Sequence, residues 1–179
     1  MNAARIIAFV APALALAACS QFDVRTQRDP SADFSRRRTF AWLPADEAEP
    51  ADQRVNDRGI DRELRAATDA QMRAKGYVPA GTEPADILLN YRVTTSPDDA
   101  LGGSRRQFTP MWGGWPEASH VYHSYDAGTL YLAALDGPTK RMIWVGAAQA
   151  RLLPHISYEK RVERVHAVVE KILASFPPR

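Results

Sequence analysis

Histidine is the residue of this chain best suited to bind a metal or to accept a proton in catalysis. His120 and His123 are three positions apart, and residues three apart on a strand face opposite sides, so their imidazoles would converge only on a helix or a bent loop. His155 and His166 have no second ligand nearby in the sequence, and structural zinc sites usually draw on cysteine as well as histidine. We therefore expect neither a metal nor another cofactor.

Nucleophilic and phosphate-binding chemistry has no matching motif. A serine–histidine–acid triad stays open, because its members need not be neighbours in the sequence, but no Gly-x-Ser-x-Gly turn is present. The glycine pairs at 102–103 and 113–114 lack the spacing and the following Lys-Ser/Thr of a phosphate-binding loop. We assign no catalytic residue and expect a protein that is not an enzyme, with a hydrolase as an alternative.

The single cysteine, Cys19, cannot form an intramolecular disulfide. It directly follows residues 1–18, MNAARIIAFVAPALALAA, in which Arg5 supplies one positive charge. The uncharged apolar stretch after Arg5 is too short to span a bilayer, since a transmembrane helix needs about 20 apolar residues. These features predict that residues 1–18 are a signal peptide.

The end of this leader reads Leu16-Ala17-Ala18-Cys19 and resembles a bacterial lipobox. The resemblance implies that Cys19 becomes the mature N-terminus, with a diacylglycerol on its sulfur and a further acyl chain, such as palmitate, on its amine. More than one chain makes membrane anchoring stable. The alternative is an ordinary secretory leader with a chance cysteine at the cleavage site. Because the next residue is not the aspartate of inner-membrane lipoproteins, the resemblance implies the outer membrane, with the domain facing the periplasm.

Length and composition are those of one globular domain: 179 residues, of which 45% are hydrophobic and 25% charged. The net charge of +2 includes Arg5, so the mature chain would be close to neutral. This balance gives no sign of nucleic-acid binding. The partners we expect are the membrane, through the lipid on Cys19, and an envelope protein or lipid.

Residues 19–35 are predicted to be a lipidated N-terminus and tether, followed by a single domain over 36–179. The tether sequence has no clear period, and Pro30 interrupts any regular element. Fully extended, about fourteen residues would reach roughly 45–50 Å. Three arginines at 36–38 could touch anionic lipid headgroups, but the usual lipid-binding cluster has about 4–8 basic residues, and a solvated strand start is the simpler interpretation.

The best-specified structural unit is a hairpin over residues 128–148, in which two apolar runs flank turn residues at 136–140. The β-prone runs at 39–43 and 86–95 predict two further strands. Strict alternation in the second hairpin strand puts Met142 and Trp144 on one face and Ile143 and Val145 on the other. We expect Trp144 to face the helices.

Two amphipathic helices follow from apolar residues at helical spacing. The first lies between an N-cap at 56–57 and a stop at Gly76, and its stripe consists of Ile60, Leu64, Ala67, Thr68 and Met72. The second is capped by Ser157 and ended by the prolines at 177–178, and its stripe consists of Tyr158, Val162, Val165, Val169, Ile172, Leu173 and Phe176.

The element order is therefore β-α-β-β-β-α, which predicts the α+β class. An antiparallel sheet of about four strands has one face for two amphipathic helices, so we expect a two-layer sandwich with both helices on that face.

The stretch from 96 to 117 has no period and is long for a loop of a compact domain. Within it, arginines and aromatic residues form a candidate contact loop, because Trp and Arg are enriched at the hot spots of interfaces; they are Arg105, Arg106, Phe108, Trp112 and Trp115. The alternative is that the tryptophans fold back over the sheet edge.

Short motifs at nearly every predicted element match those of one family. They are DFS at 33–35, TFAWL at 39–43, ID at 60–61, KGY at 75–77, ADIL at 85–88, Tyr91, GTL at 128–130, WVG at 144–146, IL at 172–173 and FPP at 176–178. In this order and spacing, the chain resembles the domain of unknown function 4136 family of bacterial envelope lipoproteins. The resemblance offers no catalytic residue. Members typically carry a polar or charged residue where this chain has Ala133 and Val145, which implies that this face of the sheet is exposed.

Three functions are compatible with these features. The first is a lipid-anchored binding or structural module of the outer membrane without chemistry of its own. The second is an accessory factor in lipid or lipopolysaccharide transport, which an apolar groove between helices and sheet would favour. The third is a periplasmic hydrolase, which a serine or a carboxylate pair converging with a histidine in a pocket would favour.

Overall fold

The computed structural model describes residues 22–44, 57–94, 127–153 and 155–178. Eight elements follow one another in this part of the chain: β1 (Asp23–Arg28), β2 (Thr39–Trp42), α1 (Arg58–Ala74), β3 (Val78–Pro79), β4 (Ile87–Thr94), β5 (Ala127–Asp136), β6 (Met142–Arg151) and α2 (Tyr158–Leu173). The strands form one sheet in the order β1-β6-β5-β4-β2-β3. None of the described helices has the length and hydropathy needed to cross a membrane.

The α+β class and the two helices are confirmed, but the sheet is larger than predicted and is mixed. Strands β2, β4, β5 and β6 are the four expected ones, and β1 and β3 are additional. Strand β2 pairs in parallel with both β3 and β4, whereas the pairs β4–β5, β5–β6 and β1–β6 are antiparallel. The cause is helix α1, because a helical crossover returns the chain to the end of the sheet at which β2 began.

The structure also corrects the predicted tether over residues 22–35. Strand β1 pairs with β6 from Asp23↔Gln149 to Arg28↔Trp144, and Phe22 and Phe34 on either side of it are buried in the main core at 5% and 6% exposure. Strand β1 is polar because it lies at the sheet edge, where the backbone ladder to β6 rather than apolar alternation holds it in place. The folded part of the described chain therefore begins at Phe22.

The helix boundaries follow local chemistry that the sequence predicts. The carboxylate of Asp57 accepts hydrogen bonds from the backbone of Gly59 and Ile60 and caps α1. Gly76 follows the last turn with φ of 93°, a left-handed conformation that favours glycine. The hydroxyl of Ser157 accepts from the backbone of Lys160 and caps α2. Helix α2 ends at Leu173, so Phe176, expected on its stripe, lies beyond it.

The core lies between the two helices and one face of the sheet. Met72 on α1, Ile87 on β4 and Val169 and Ile172 on α2 have no solvent-exposed surface. Trp144 belongs to this core at 2% exposure, as predicted. The described helices and the sheet thus share one apolar core.

A bulge in β6 changes the predicted facing of its neighbours. Leu135 pairs with Met142 and Ala134 with Trp144, so Ile143 is an extra residue between two rungs of the ladder. Ile143 consequently packs in the main core with Trp144, while Met142 joins Val145 on the other face. The predicted alternation of Met142 and Ile143 is wrong, because a bulge inserts one residue and breaks the two-residue period.

The expected exposure of the second sheet face is wrong as well. Ala133 and Val145 are 1% and 3% exposed, and they cluster there with Met142 and Leu135. Ala133 and Val145 are direct partners in the β5–β6 ladder, so their side chains contact each other on this face.

Candidate functional site

The site residues predicted from the sequence lie outside the described residues. Cys19 belongs to the N-terminal stretch before Phe22, and the candidate contact loop and His120 and His123 belong to the stretch between Thr94 and Ala127. The lipid anchor and the contact loop therefore stay predictions. Among the described residues, two polar clusters bring together side chains from separate motifs.

The first is an aromatic–arginine cluster formed by Trp42, Asp61, Arg65 and Tyr91. Trp42 ends β2 and Tyr91 lies further along the neighbouring strand β4, with their ring centroids 6.2 Å apart in an edge-to-face arrangement. Asp61 and Arg65 are four residues apart on α1 and so face the same side of the helix. The guanidinium carbon of Arg65 lies 4.5 Å from the Trp42 ring centroid and 5.6 Å from that of Tyr91.

Asp61 holds this cluster together through two charge-assisted hydrogen bonds. Its Oδ1 accepts from the Tyr91 hydroxyl at 2.6 Å and from Arg65 Nε at 2.9 Å. One turn beyond Arg65, Asp69 accepts from the Trp42 indole nitrogen at 2.9 Å. Burial and the Asp61 carboxylate raise the pKa of Tyr91 well above its ordinary value. Tyr91 is therefore a neutral donor that fixes α1 on the sheet, not a base.

The described cluster can present one cation, the Arg65 guanidinium, close to two aromatic rings. The polar groups of Asp61, Arg65 and Tyr91 are already used in hydrogen bonds within the cluster. Three of its four members, Trp42, Asp61 and Tyr91, lie in motifs found in the sequence. Sequence reasoning treated those motifs separately and missed Arg65, although its position four residues after Asp61 was a visible signal.

Replacing Tyr91 with phenylalanine tests how much this cluster contributes. We expect the free energy of unfolding to fall by about 1.5 kcal/mol, the low end for a hydrogen bond to a charged group, because the phenol is only half-buried. Urea unfolding measures the change. Tyr158→Phe on the surface of α2 is the control, and we expect it to change stability by less than about 0.5 kcal/mol. Equal losses in the two variants would contradict a specific role for the Tyr91 hydroxyl.

The second cluster surrounds Asp86, at the opposite end of β4. Oδ2 of Asp86 accepts from the backbone nitrogens of Arg38 and Thr39 at 2.8 and 2.9 Å and from the Thr39 hydroxyl at 3.0 Å. The Asp86 backbone nitrogen donates in return to the Thr39 hydroxyl at 2.9 Å. These bonds join the start of β2 to the start of β4, which explains a carboxylate in the ADIL motif.

The β5–β6 turn is fixed to the same cluster. Arg37 donates to Asp136 Oδ1 at 2.6 Å, and the Gly137 nitrogen donates to the Asp86 carbonyl at 2.9 Å. A Cβ on Gly137 would lie 1.8 Å from the Ala85 carbonyl oxygen, so this position requires glycine. Desolvation acts to raise the pKa of Asp136, but hydrogen bonds from Thr139 and Arg37 outweigh it and lower that pKa. The cluster therefore acts as a structural latch.

Acid should weaken this latch. Backbone hydrogen bonds from Arg38 and Thr39 lower the pKa of Asp86 below its ordinary 3.8, so the folded state binds fewer protons than the unfolded state in acid. The resulting stability is complete above the ordinary carboxyl pKa and is lost as the pH falls through the folded-state pKa. We expect Asp86→Asn to be less stable than the wild type at neutral pH.

Urea unfolding of both proteins over a pH series measures this effect. The difference in free energy of unfolding between the wild type and Asp86→Asn should become smaller as the pH falls below 3.8. Glu83→Gln, in the exposed turn before β4, is the matched control for loss of a carboxylate. If that difference did not depend on pH, the result would contradict a role for the ionised Asp86 side chain.

Other chemistry-bearing side chains are dispersed over the described part of the chain. Ser31 and Ser35 donate to Asp29 and Asp33 in their own turns, Ser157 caps α2, and Ser175 donates to Thr26. His166 approaches Glu63 at 3.4 Å on the helix surface. Within the described ranges, no three histidine, cysteine or acidic residues group as metal ligands. None of these described serines is positioned by a histidine.

The motifs that converge in these clusters lie inside one family match. Residues 24–178 match the family described as a domain of unknown function, DUF4136. The chain belongs to this family. The match begins within β1 and extends past α2, so it includes the aromatic–arginine cluster, the Asp86 latch and the helix–sheet core.

Solved structures share the fold of this DUF4136 chain at low sequence identity. A PDZ domain protein from Parabacteroides distasonis matches with a TM-score of 0.54 and 16% identity over 88% of this chain, which spans only 36% of that protein. The PelC dodecamer from Paraburkholderia phytofirmans matches with a TM-score of 0.50 and 12% identity, covering 88% of this chain and 99% of PelC. A PelC variant gives a TM-score of 0.49. No curated protein matches the chain.

Proposed function

We propose that this DUF4136 protein is a lipoprotein held on the outer membrane through Cys19, facing the periplasm, where it acts as a non-catalytic binding or structural module. The observation that carries the proposal is the leader, since the only cysteine of the chain directly follows Leu16-Ala17-Ala18 at the end of a short apolar segment. A signal-peptide cleavage site requires small residues but does not require a cysteine.

The arrangement of the described domain supports a module over its two alternatives. A lipid carrier needs an apolar groove, whereas the described apolar side chains between the helices and the sheet contact one another in one buried cluster. A hydrolase needs an activated nucleophile, whereas the described serine hydroxyls are used in turns, a cap and a contact between Ser175 and Thr26. The polar clusters instead fix the position of α1 and of the β5–β6 turn.

Replacing Cys19 with alanine tests the anchor. We expect the wild type to incorporate labelled palmitate and to sediment with outer membranes, because two or more acyl chains give stable anchoring. Cys19→Ala should incorporate none and should appear in the soluble periplasmic fraction. Cell fractionation with palmitate labelling measures both properties.

Ser20→Asp is the matched control. It should keep the palmitate label but move the protein to the inner membrane, because aspartate after the lipidated cysteine is the retention signal in Gram-negative lipoproteins. A wild type that never incorporates palmitate would contradict the proposal. If the wild type is lipidated, the molecules that copurify with it from membranes distinguish the two remaining roles. A copurifying protein indicates a binding or structural module, whereas bound lipid is the outcome expected of a transport factor.

A further inference from the structure

Six charged residues of helix α2 form two lines along its surface. At about 100° per residue, Lys160, Arg164 and Lys171 lie along one line of the helix, and Glu159, Glu163 and Glu170 along another. His166, on the acidic side, approaches Glu63 of α1. The basic line therefore lies on the side of α2 away from α1, next to strand β1.

Phe22 connects this basic line to the start of the folded chain. Its ring is 5% exposed, with the Arg164 guanidinium carbon 5.5 Å and the Lys171 Nζ 5.6 Å from its centroid. Such cation–π contacts hold the side chain of Phe22 against α2. The position at which the N-terminal segment reaches the domain is thus fixed beside the basic line.

Strand β1 adds one further cation on the same side. Arg28 is exposed on this edge strand and, by the two-residue period of a strand, lies on the face of Thr26, which contacts Ser175 after α2. Arg25 lies on the opposite face and pairs with Asp23 at 3.5 Å. The basic flank, as we call it, consists of Arg28, Lys160, Arg164 and Lys171. It is larger than the arginine run at 36–38 and falls within the range of about 4–8 basic residues typical of anionic lipid binding.

The chain length between Cys19 and Phe22 limits how far the domain can move from a membrane. Three residues span at most about 10–11 Å when fully extended. This reach is close to the distance over which charges act in physiological salt, about 8–10 Å. Lipid on Cys19 would therefore hold Phe22, and the basic line beside it, within electrostatic reach of the headgroups.

We propose that the basic flank lies on the membrane surface against anionic phospholipid headgroups, so that the domain is held close to the bilayer in one orientation. This inference rests on the lipid anchor of the proposed function. Strand β3, at the other edge of the sheet, then points away from the membrane. The attraction requires anionic lipid and weakens in high salt.

Fluorescence quenching of the lipidated full chain tests this orientation. Since the sulfur of Cys19 is acylated, a cysteine introduced elsewhere is the one free thiol for labelling. Ser175→Cys labels an exposed position beside β1, and Glu83→Cys labels the exposed turn after β3. In vesicles of phosphatidylcholine and phosphatidylglycerol that contain a nitroxide-headgroup lipid, the label at 175 should be quenched several-fold more than the label at 83.

Charge reversal gives the matched comparison. Arg28→Glu with Lys160→Glu should bring the quenching ratio close to one, as should high salt or phosphatidylcholine alone. Arg62→Glu with Arg73→Glu makes the same charge change on the exposed side of α1 and should leave the ratio unchanged. Urea midpoints of all variants verify that they fold.

The outcomes separate the orientation from the anchor. Suppose that the wild type incorporates palmitate but the labels at 175 and 83 are quenched equally, or that charge reversal at Arg28 and Lys160 leaves the quenching ratio unchanged. Either result would overturn the role of the basic flank and leave the lipid anchor intact. Absence of palmitate from the wild type would overturn both proposals.

Discussion

Replacing Trp144 with alanine should lower the free energy of unfolding by about 3–5 kcal/mol, the range measured for large aromatic side chains in cores. Trp144 is 2% exposed in the main core, and its ring centroid lies 4.9 Å from that of Phe176 in an edge-to-face arrangement. A loss of this size is a large fraction of the roughly 5–15 kcal/mol that stabilises a typical domain. We expect the variant to be partly unfolded or degraded in the cell.

The neighbouring glycine shows why the cavity left by Trp144 cannot close easily. A Cβ on Gly146 would lie 2.4 Å from Ile172 Cγ2 and 2.6 Å from Trp144 Cη2. The indole therefore occupies space that the absence of a side chain at 146 provides, and Gly146 itself has no side-chain atoms that could fill the space if the indole were removed. Partial collapse is what lowers the cost of such truncations.

Urea unfolding of the domain carrying Cys19→Ala measures the effect of Trp144→Ala without the lipid. Leu153→Ala is the control, because Leu153 is an apolar residue that is 41% exposed; its replacement should cost less than about 0.5 kcal/mol. A cost below about 1 kcal/mol for Trp144→Ala would mean that the indole is not part of the core.

The sequence predicts those parts of the fold that depend on local chemistry. The helix caps at Asp57 and Ser157 and the stop at Gly76 each depend on one side chain or one backbone conformation. The β5–β6 hairpin depends on apolar runs and turn residues that are adjacent in the sequence. These features were predicted correctly because few alternatives satisfy them.

The remaining strands depend on partners that are distant in the sequence. Strand β1 is polar and reads as a linker, yet it pairs with β6 more than a hundred residues later. Strand β3 has two residues, one of them Pro79, and gives no periodic signal. The extra residue Ile143 in β6 has an ordinary apolar side chain, so its bulge is visible only in the pairing with β5.

The candidate clusters also combine local features, which the sequence predicts, with contacts between distant residues, which it does not. The sequence motifs identified Trp42, Asp61, Tyr91 and Asp86 as positions of interest, but not the contacts among them. Asp61 and Tyr91 are thirty residues apart and meet only because α1 packs over the junction of β2 and β4. Periodicity assigns a residue to a face of its own element, whereas a hydrogen bond between two elements also needs their relative position.

Replacing Phe176 with alanine should also cost about 3–5 kcal/mol. Phe176 follows α2 and is 1% exposed. Its ring makes edge-to-face contacts with three others, at centroid distances of 5.6 Å to Phe34, 5.7 Å to Tyr77 and 4.9 Å to Trp144. The three partners lie in the turn after β1, directly before β3 and in strand β6, so one side chain joins the segment after α2 to three parts of the fold.

The size of the loss should depend on ring contacts as well as on volume. Phe176→Leu keeps much of the apolar volume but removes all three ring pairs, each of which contributes about 0.5–1.5 kcal/mol. This variant should therefore be clearly destabilised, but less than Phe176→Ala. Tyr77→Phe keeps its ring and removes only the hydrogen bond from the Tyr77 hydroxyl to the Pro177 carbonyl at 3.2 Å, which should cost about 0.5–1.5 kcal/mol. Urea unfolding should therefore rank Phe176→Ala as the most destabilised and Tyr77→Phe as the least. If Phe176→Ala were as stable as Tyr77→Phe, the motif after α2 would serve to end helix α2 rather than to hold the aromatic core together.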